Sequence, residues 1–179
     1  MLDGEKLDHR YSGVARLFHW LTVGLLIAQF AIAWTMPHIG RGSVPIGLIG
    51  WHLTLGLAIG VITIARLGWR LISPPPSAPA SLPPALAKLS RTTHWLLYGL
   101  LIILPLLGWI NANARGWSLK LLGAVPLPQL VAEGSPFGRA MGDVHSTIAI
   151  VFLAVVGLHV AGAFYHAFVL KDGTMRRMA

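Results

Sequence analysis

Four long apolar runs constrain the fold more than any other feature of the sequence. They cover residues 14–34, 46–69, 93–112 and 144–170, and each could cross about 30 Å of hydrocarbon as an α-helix. Charged residues make up 11% of the chain, whereas a soluble domain carries about 25%. Because a backbone inside a bilayer must satisfy its own hydrogen bonds, the sequence predicts an all-α fold, a transmembrane four-helix bundle.

The connections between the runs predict a single integral-membrane domain over residues 1–179. Residues 73–84 are too rich in proline for a helix or a strand and predict a stiff linker. Residues 113–142 form the longest loop, and an apolar patch near Trp117 predicts a lid on the bundle. The third run contains Pro105, where we expect a kink within one span. The first run could be taken for a signal peptide, but its length and its polar residues argue against cleavage.

Lysine and arginine are unevenly distributed between the two ends of the predicted bundle. Ten lie beside the termini and the proline-rich linker, and four lie in the loops at the other end. Under the positive-inside rule, both termini face the cytoplasm. The net charge of +8 does not indicate a nucleic-acid partner, because the basic residues lie beside apolar runs and form no continuous solvated patch. The four outer cations are Arg41, Arg115, Lys120 and Arg139.

Histidines within the apolar runs point to function, because ionisable side chains are costly inside a membrane. His145 and His159 lie fourteen residues apart, close to four helical turns, so they project from one face about 21 Å apart along the axis. Under the orientation above, His52 faces His145 near the outer side, and His19 faces His159 near the cytoplasmic side. Two stacked bis-histidine pairs in a membrane bundle indicate two haems.

Other polar residues near these pairs have less specific roles. His166 lies seven residues after His159 and could oppose His19 in its place. It would then lie about 31 Å from the outer ligand on the same helix, nearly the membrane thickness, which favours His159. His94 and His166 are then candidates for haem propionates or a quinone pocket, or they are interfacial anchors. Arg16, one turn before His19, is placed to pair with a propionate and also suits a positive-inside anchor.

The chain contains no cysteine, which excludes disulfides, iron–sulfur clusters and covalent c-type haem. Any haem would therefore be held non-covalently by histidine. The alternative is a haem-free scaffold or a transporter whose histidines bind metal, and it predicts a colourless protein. Glycine and alanine one turn from the ligands would let a porphyrin approach the backbone, but both are common in membrane helices and add only weak support.

Several of these features together resemble the prokaryotic cytochrome b561 family. The resemblance covers nearly the whole chain, including the proline-rich linker. It implies a bacterial inner-membrane protein that binds two haems b through four histidines and exchanges electrons with the quinone pool. The motifs are Arg16-Leu17-Phe18-His19-Trp20 in the first run, His52 in the second, His145 and His159 in the last, and the closing Lys171-Asp172-Gly173.

The same resemblance implies an enzyme, a superoxide:ubiquinone oxidoreductase. Superoxide would arrive at the outer face, where the four cations outnumber Glu133 and Asp143 and would attract an anion. Irons with two histidine ligands have no open position, which leaves outer-sphere electron transfer. Related four-helix cytochromes serve as membrane subunits of hydrogenases and formate dehydrogenases, so docking to a soluble redox partner is the alternative.

Overall fold

Four long helices make up most of the structure, a computed structural model that describes residues 10–40, 42–76, 82–121 and 123–178. The first three helices pack in chain order, α1 on α2 and α2 on α3, and α3 also packs on α4. A π-helical turn continues α4, and a small antiparallel hairpin connects α3 to α4. The elements are α1 (Gly13–Thr35), α2 (Gly47–Ile72), α3 (Pro84–Ala114), β1 (Lys120–Leu121), β2 (Val125–Pro126), α4 (Pro136–Phe164) and the π-helical turn (Tyr165–Leu170).

The surfaces of the four helices suit a lipid environment. All four are long and apolar enough to cross a membrane. Many large apolar side chains point outwards and are well exposed in the isolated chain, as expected of surfaces that contact lipid. Examples are Leu17, Ile27, Ile64, Ile150 and Phe168. The predicted all-α fold with four transmembrane helices is therefore confirmed.

Two helices are longer than hydropathy alone predicted. α3 begins at Pro84 rather than near residue 93, and α4 begins at Pro136 rather than near residue 144. Proline suits the first position of a helix because that position needs no backbone N–H, and the Ser135 hydroxyl accepts a hydrogen bond from the Gly138 amide at 3.2 Å. The added turns mix apolar and charged residues, so hydropathy alone does not reveal them. α3 continues through Pro105, so the third run is one span, as predicted.

The bundle has two ends, which we name by their connections. The linker end carries residue 10, the linker after α2 and the C-terminal tail; the loop end carries the α1–α2 loop and the hairpin. Glycines let α3 and α4 approach closely at the loop end. A Cβ atom at Gly138 would lie 2.5 Å from the Ala114 Cβ, and one at Gly142 would lie 2.6 Å from Asn111 Nδ2. This close approach brings His145, one turn further along α4, against α3.

The segment after α3 covers part of the loop end. Trp117 and Leu119 are buried in a cluster with Ile49 of α2 and Ala112 of α3. The Trp117 indole N–H donates to the Ser43 carbonyl at 3.2 Å, which ties this segment to the α1–α2 loop. The segment thus lies on the bundle in the way the predicted lid would.

Phe152 of α4 lies at the centre of the bundle core. Its side chain is 1% exposed, packs against residues of α2 and α3, and stacks on the ring of Phe30 with centroids 6.1 Å apart. Phe152 is seven residues, about two helical turns, from both His145 and His159. An apolar layer therefore separates the two histidine levels.

We expect Phe152→Ala to lower the free energy of unfolding by about 3–5 kcal/mol, because it removes a fully buried aromatic ring from the apolar layer. Denaturant titration in mixed micelles would measure the loss. Phe168→Ala is the matched control, since the Phe168 side chain is 70% exposed and its removal opens no cavity. Equal losses in the two variants would contradict the central position of Phe152.

Candidate functional site: two histidine pairs in the bundle

The loop-end pair consists of His52 on α2 and His145 on α4. Their ring centroids are 6.1 Å apart, and the ring planes lie at 76°. Two imidazoles that bind one iron from opposite sides, with metal–nitrogen bonds of about 2 Å, place their centroids about 6.3 Å apart. The separation of the two rings therefore fits one iron between them.

His145 is oriented by a backbone hydrogen bond. Its Nδ1 lies 2.9 Å from the Leu104 carbonyl oxygen, and because a carbonyl only accepts, Nδ1 carries the proton. The other ring nitrogen, Nε2, is then left as the atom with a free lone pair. Metal-binding histidines in proteins are commonly fixed in this way. A Cβ atom at Gly108 would lie 3.5 Å from the His145 ring, so α3 approaches the ring closely.

Gln29 of α1 lies beside His52, and the sequence analysis did not assign it a role. Its Nε2 donates to the His52 carbonyl at 3.0 Å and lies 3.4 Å from His52 Nε2. Within the described residues, Gln29 Oε1 and His52 Nδ1 are buried with no hydrogen-bond partner. Unpaired buried polar atoms are costly, and here they lie on or beside a histidine of the pair that the sequence predicts as ligands. An amide inside an apolar run was the available sequence signal.

A cavity of about 610 Å³ surrounds the loop-end pair, a volume in the range of about 300–1,000 Å³ typical of cofactor pockets. Both histidines line it, together with small residues one turn away: Gly56 after His52, and Ala149 after His145. Apolar residues of all four helices form most of the wall. The cavity therefore offers a flat, apolar group room beside both rings.

The linker-end pair consists of His19 on α1 and His159 on α4. Their ring centroids are 6.3 Å apart and the ring planes lie at 73°. This separation also equals the one expected for two ligands of a single iron. The structure thus places the four predicted ligands in the two predicted pairs, with His159 and not His166 beside His19.

His94 of α3 joins the linker-end pair as a third imidazole. Its centroid is 5.2 Å from that of His159, with the rings at 72°. That separation is too short for two opposed ligands of one iron, so the distances favour His19 as the partner of His159. His94 therefore lies against the ring of the predicted ligand, as a neighbour of the site.

Arg66 of α2 contacts the linker-end pair. Its Nη2 lies 3.5 Å from His19 Nδ1, and its guanidinium lies over the ring of Tyr98, 5.4 Å from the centroid. Arg70, one turn further along α2, packs over Tyr98 and Trp95. From the sequence, Arg66 and Arg70 indicated only the orientation of the bundle and were not assigned to the site.

His166 and Arg16, the other two predicted site residues, are not members of either histidine pair. His166 Nδ1 lies 2.6 Å from Asp172 Oδ2, so its ring is engaged by the C-terminal tail. Partial burial raises the pKa of Asp172, but hydrogen bonds from the Thr174 amide and from His166 outweigh it, and the pKa lies below its ordinary value. Arg16 is partly buried in the first turns of α1, one turn before His19.

The comparisons with known proteins agree with this architecture. A family model described as prokaryotic cytochrome b561 matches residues 10–179. The chain belongs to the prokaryotic cytochrome b561 family. Three relatives match over nearly their full length. The probable superoxide oxidase CybB of Yersinia pestis is 31% identical over 176 residues, which cover 96% of this chain and 97% of that protein.

Two further relatives are named as cytochromes. Cytochrome b561 homolog 2 of Escherichia coli K12 is 27% identical over 176 residues, covering 94% of this chain and 90% of that protein. Cytochrome b562 of Cereibacter sphaeroides is 26% identical over 177 residues, covering 94% of each. The resemblance to the cytochrome b561 family is confirmed, and the chain is a membrane electron-transfer protein of that family.

Membership of a cytochrome b family implies haem b, and the residues present fit that group. The ring separation in both histidine pairs fits two imidazoles that share one iron, Nδ1 of His145 is hydrogen-bonded to a backbone carbonyl, and a cavity adjoins the loop-end pair. Within residues 10–40, 42–76, 82–121 and 123–178, no group of three His, Cys, Asp or Glu side chains has the arrangement that would hold a bare metal ion.

Proposed function

We propose that this cytochrome b561 binds two haems b and oxidises superoxide at one membrane face while reducing ubiquinone in the bilayer. His52 and His145 would hold one haem, and His19 and His159 the other. The observation that carries the proposal is the presence of two facing pairs, at 6.1 and 6.3 Å, at two levels of one bundle. Each haem supplies a one-electron couple when bound.

The chain's own residues hold and isolate these centres. Two histidine ligands per iron leave no open position, which disfavours oxygen binding and favours outer-sphere transfer. The apolar layer around Phe152, which is 1% exposed, keeps water from the space between the two levels. The proposed reaction balances: two superoxide anions lose one electron each, and ubiquinone takes up both electrons and two protons.

The loop end is the proposed site of superoxide oxidation, and we place it on the outer side of the bacterial inner membrane with both termini in the cytoplasm. The name of the Yersinia pestis relative supports superoxide as the substrate, and the distribution of Lys and Arg between the two ends supports this orientation. Lys120 and Arg139 are exposed there, and Arg139 lines the cavity. Arg115 is less available, because it bonds Asn111 Oδ1 and the Gly40 carbonyl. Arg41 lies outside the described residues.

The linker end is the proposed region of ubiquinone reduction. His94 lies against His159, and His166 lies in the π-helical turn beside Asp172; π-helical segments often mark functional sites. We retain both histidines as candidates for quinone or propionate contacts, and Arg16 as a propionate contact. The Asp172 carboxylate, 2.6 Å from His166 Nδ1, would accept a hydrogen bond from that ring and fix its orientation.

The test of the function is a coupled assay on purified protein in detergent or liposomes. A steady source of superoxide should reduce a soluble ubiquinone analogue only when the protein is present, and the haem spectrum should show about two haems b per chain. Two haems without superoxide-driven reduction would instead favour a subunit that docks a soluble dehydrogenase. A colourless preparation would remove the proposal altogether.

Charge reversal at the loop end should slow the reaction. The double variant Lys120→Glu with Arg139→Glu is expected to lower the second-order rate with superoxide by roughly tenfold at low ionic strength, because it replaces attraction of the anion by repulsion. The haem spectrum should not change. Lys88→Glu, an exposed cation at the other end, is the control. An unchanged rate at low salt would refute electrostatic steering.

A further inference from the structure

Arg66 is a cation within an apolar span and close to a predicted haem ligand. Its Nη2 lies 3.5 Å from His19 Nδ1, and its guanidinium is held over Tyr98, which is 8% exposed. Arginine stays charged in proteins, and charges within membrane spans are costly and usually functional. The aromatic ring therefore fixes a permanent positive charge beside the linker-end pair.

This charge has no acidic partner in the described part of the chain. Across residues 10–40, 42–76, 82–121 and 123–178, the one ion pair within 4.0 Å joins His166 to Asp172. The described carboxylates Glu133 and Asp143 belong to the loop end. Among the described residues, the field of Arg66 at His19 is thus not cancelled by a paired carboxylate.

Arg66 would act on a bound haem as a charge and not as a hydrogen-bond partner. The guanidinium only donates, so a hydrogen bond to Nδ1 requires that Nδ1 lacks a proton. An imidazole that binds iron through Nε2 keeps its proton on Nδ1, which removes that acceptor. The distance of 3.5 Å is also at the limit for a hydrogen bond. What remains is a short-range Coulomb interaction in a medium of low dielectric constant.

The loop-end pair has different neighbours. His145 donates its Nδ1 proton to the Leu104 carbonyl at 2.9 Å, which makes the imidazole a more basic ligand. His52 is next to the uncharged amide of Gln29. A more basic ligand stabilises the oxidised iron, whereas a nearby fixed cation stabilises the reduced iron, because reduction removes one positive charge.

We infer that the positive charge of Arg66 raises the reduction potential of the linker-end haem above that of the loop-end haem. This inference rests on the proposed function and adds the direction of electron flow. Electrons that enter at the loop end then move downhill to the linker end, where the quinone would be reduced.

A redox titration with optical detection tests the inference without any turnover. In the wild-type protein the centre of higher potential should have the spectrum of the haem that remains in His52→Ala, the linker-end haem. Arg66→Gln should lower the equilibrium constant for reduction of that haem at least tenfold, which lowers its midpoint potential by about 59 mV for one electron. Arg66→Lys, which keeps the charge, should restore most of the midpoint.

Arg70→Gln is the matched control, because it removes the same charge one turn further along α2 and should shift the midpoint less. If Arg66→Gln leaves both midpoints unchanged, lowers only the loop-end one, or shifts no more than Arg70→Gln, the inference fails. If Arg66→Gln does not bind haem, the two midpoint potentials of the wild-type protein test the inference. A loop-end haem with the higher potential overturns it. Fewer than two haems in the wild type would instead refute the proposed function.

Discussion

His52→Ala is expected to bind about one haem per chain instead of about two, because an iron held between His52 and His145, as proposed, would lose one of its two ligands. The ring centroids of this pair are 6.1 Å apart, and alanine provides no replacement donor. Pyridine haemochrome quantification on purified protein measures the loss directly. The reduced-minus-oxidised spectrum of the variant should be that of a single b-type centre.

The same measurement on three further variants separates the ligands from their neighbours. His145→Ala should give the same spectrum as His52→Ala, whereas His159→Ala should retain the other haem. His166→Ala is the control, because its ring contacts Asp172 at 2.6 Å and is not paired with His19. A haem lost in His166→Ala but kept in His159→Ala would contradict the pairing at the linker end.

The sequence was sufficient to predict the fold because the membrane imposes strong constraints. Backbone groups in hydrocarbon must pair within a helix, so the four apolar runs could form little else. The ends of the helices were harder to predict from the sequence. The first turns of α3 after Pro84 and of α4 after Pro136 are helical, but they are not apolar enough to be recognised by hydropathy. Their extent depends on capping and on the packing of α3 against α4, which hydropathy does not report.

The pairs of histidines were also predictable, since their depth follows from position along each span. Periodicity placed His145 and His159 on one face of α4, and depth then selected His52 and His19 as partners. What the sequence did not predict is which polar residues of other helices point at these rings. Rotation of a helix about its axis is set by packing in the folded bundle, and sequence position alone leaves it undetermined.

Arg66 and Gln29 illustrate this limit. Both are polar residues within apolar runs of the sequence. The positive-inside rule already explained the position of Arg66, so the sequence did not call for a second role. In the structure Arg66 lies 3.5 Å from His19 Nδ1, and Gln29 lies 3.0 Å from the His52 carbonyl. A general rule follows: a cation deep in a span should be tested against the nearest predicted ligand as well as counted for topology.

Superoxide-driven quinone reduction should fall by at least roughly tenfold in His52→Ala, because the loss of the loop-end haem removes the redox centre nearest the proposed site of superoxide oxidation. The remaining haem, held by His19 and His159, should still be reduced by a quinol added from the membrane side. Phe168→Ala, at an exposed position, should keep the full rate. Retention of the full rate by His52→Ala would mean that electrons enter at the linker end, and the assignment of the two faces would have to be reversed.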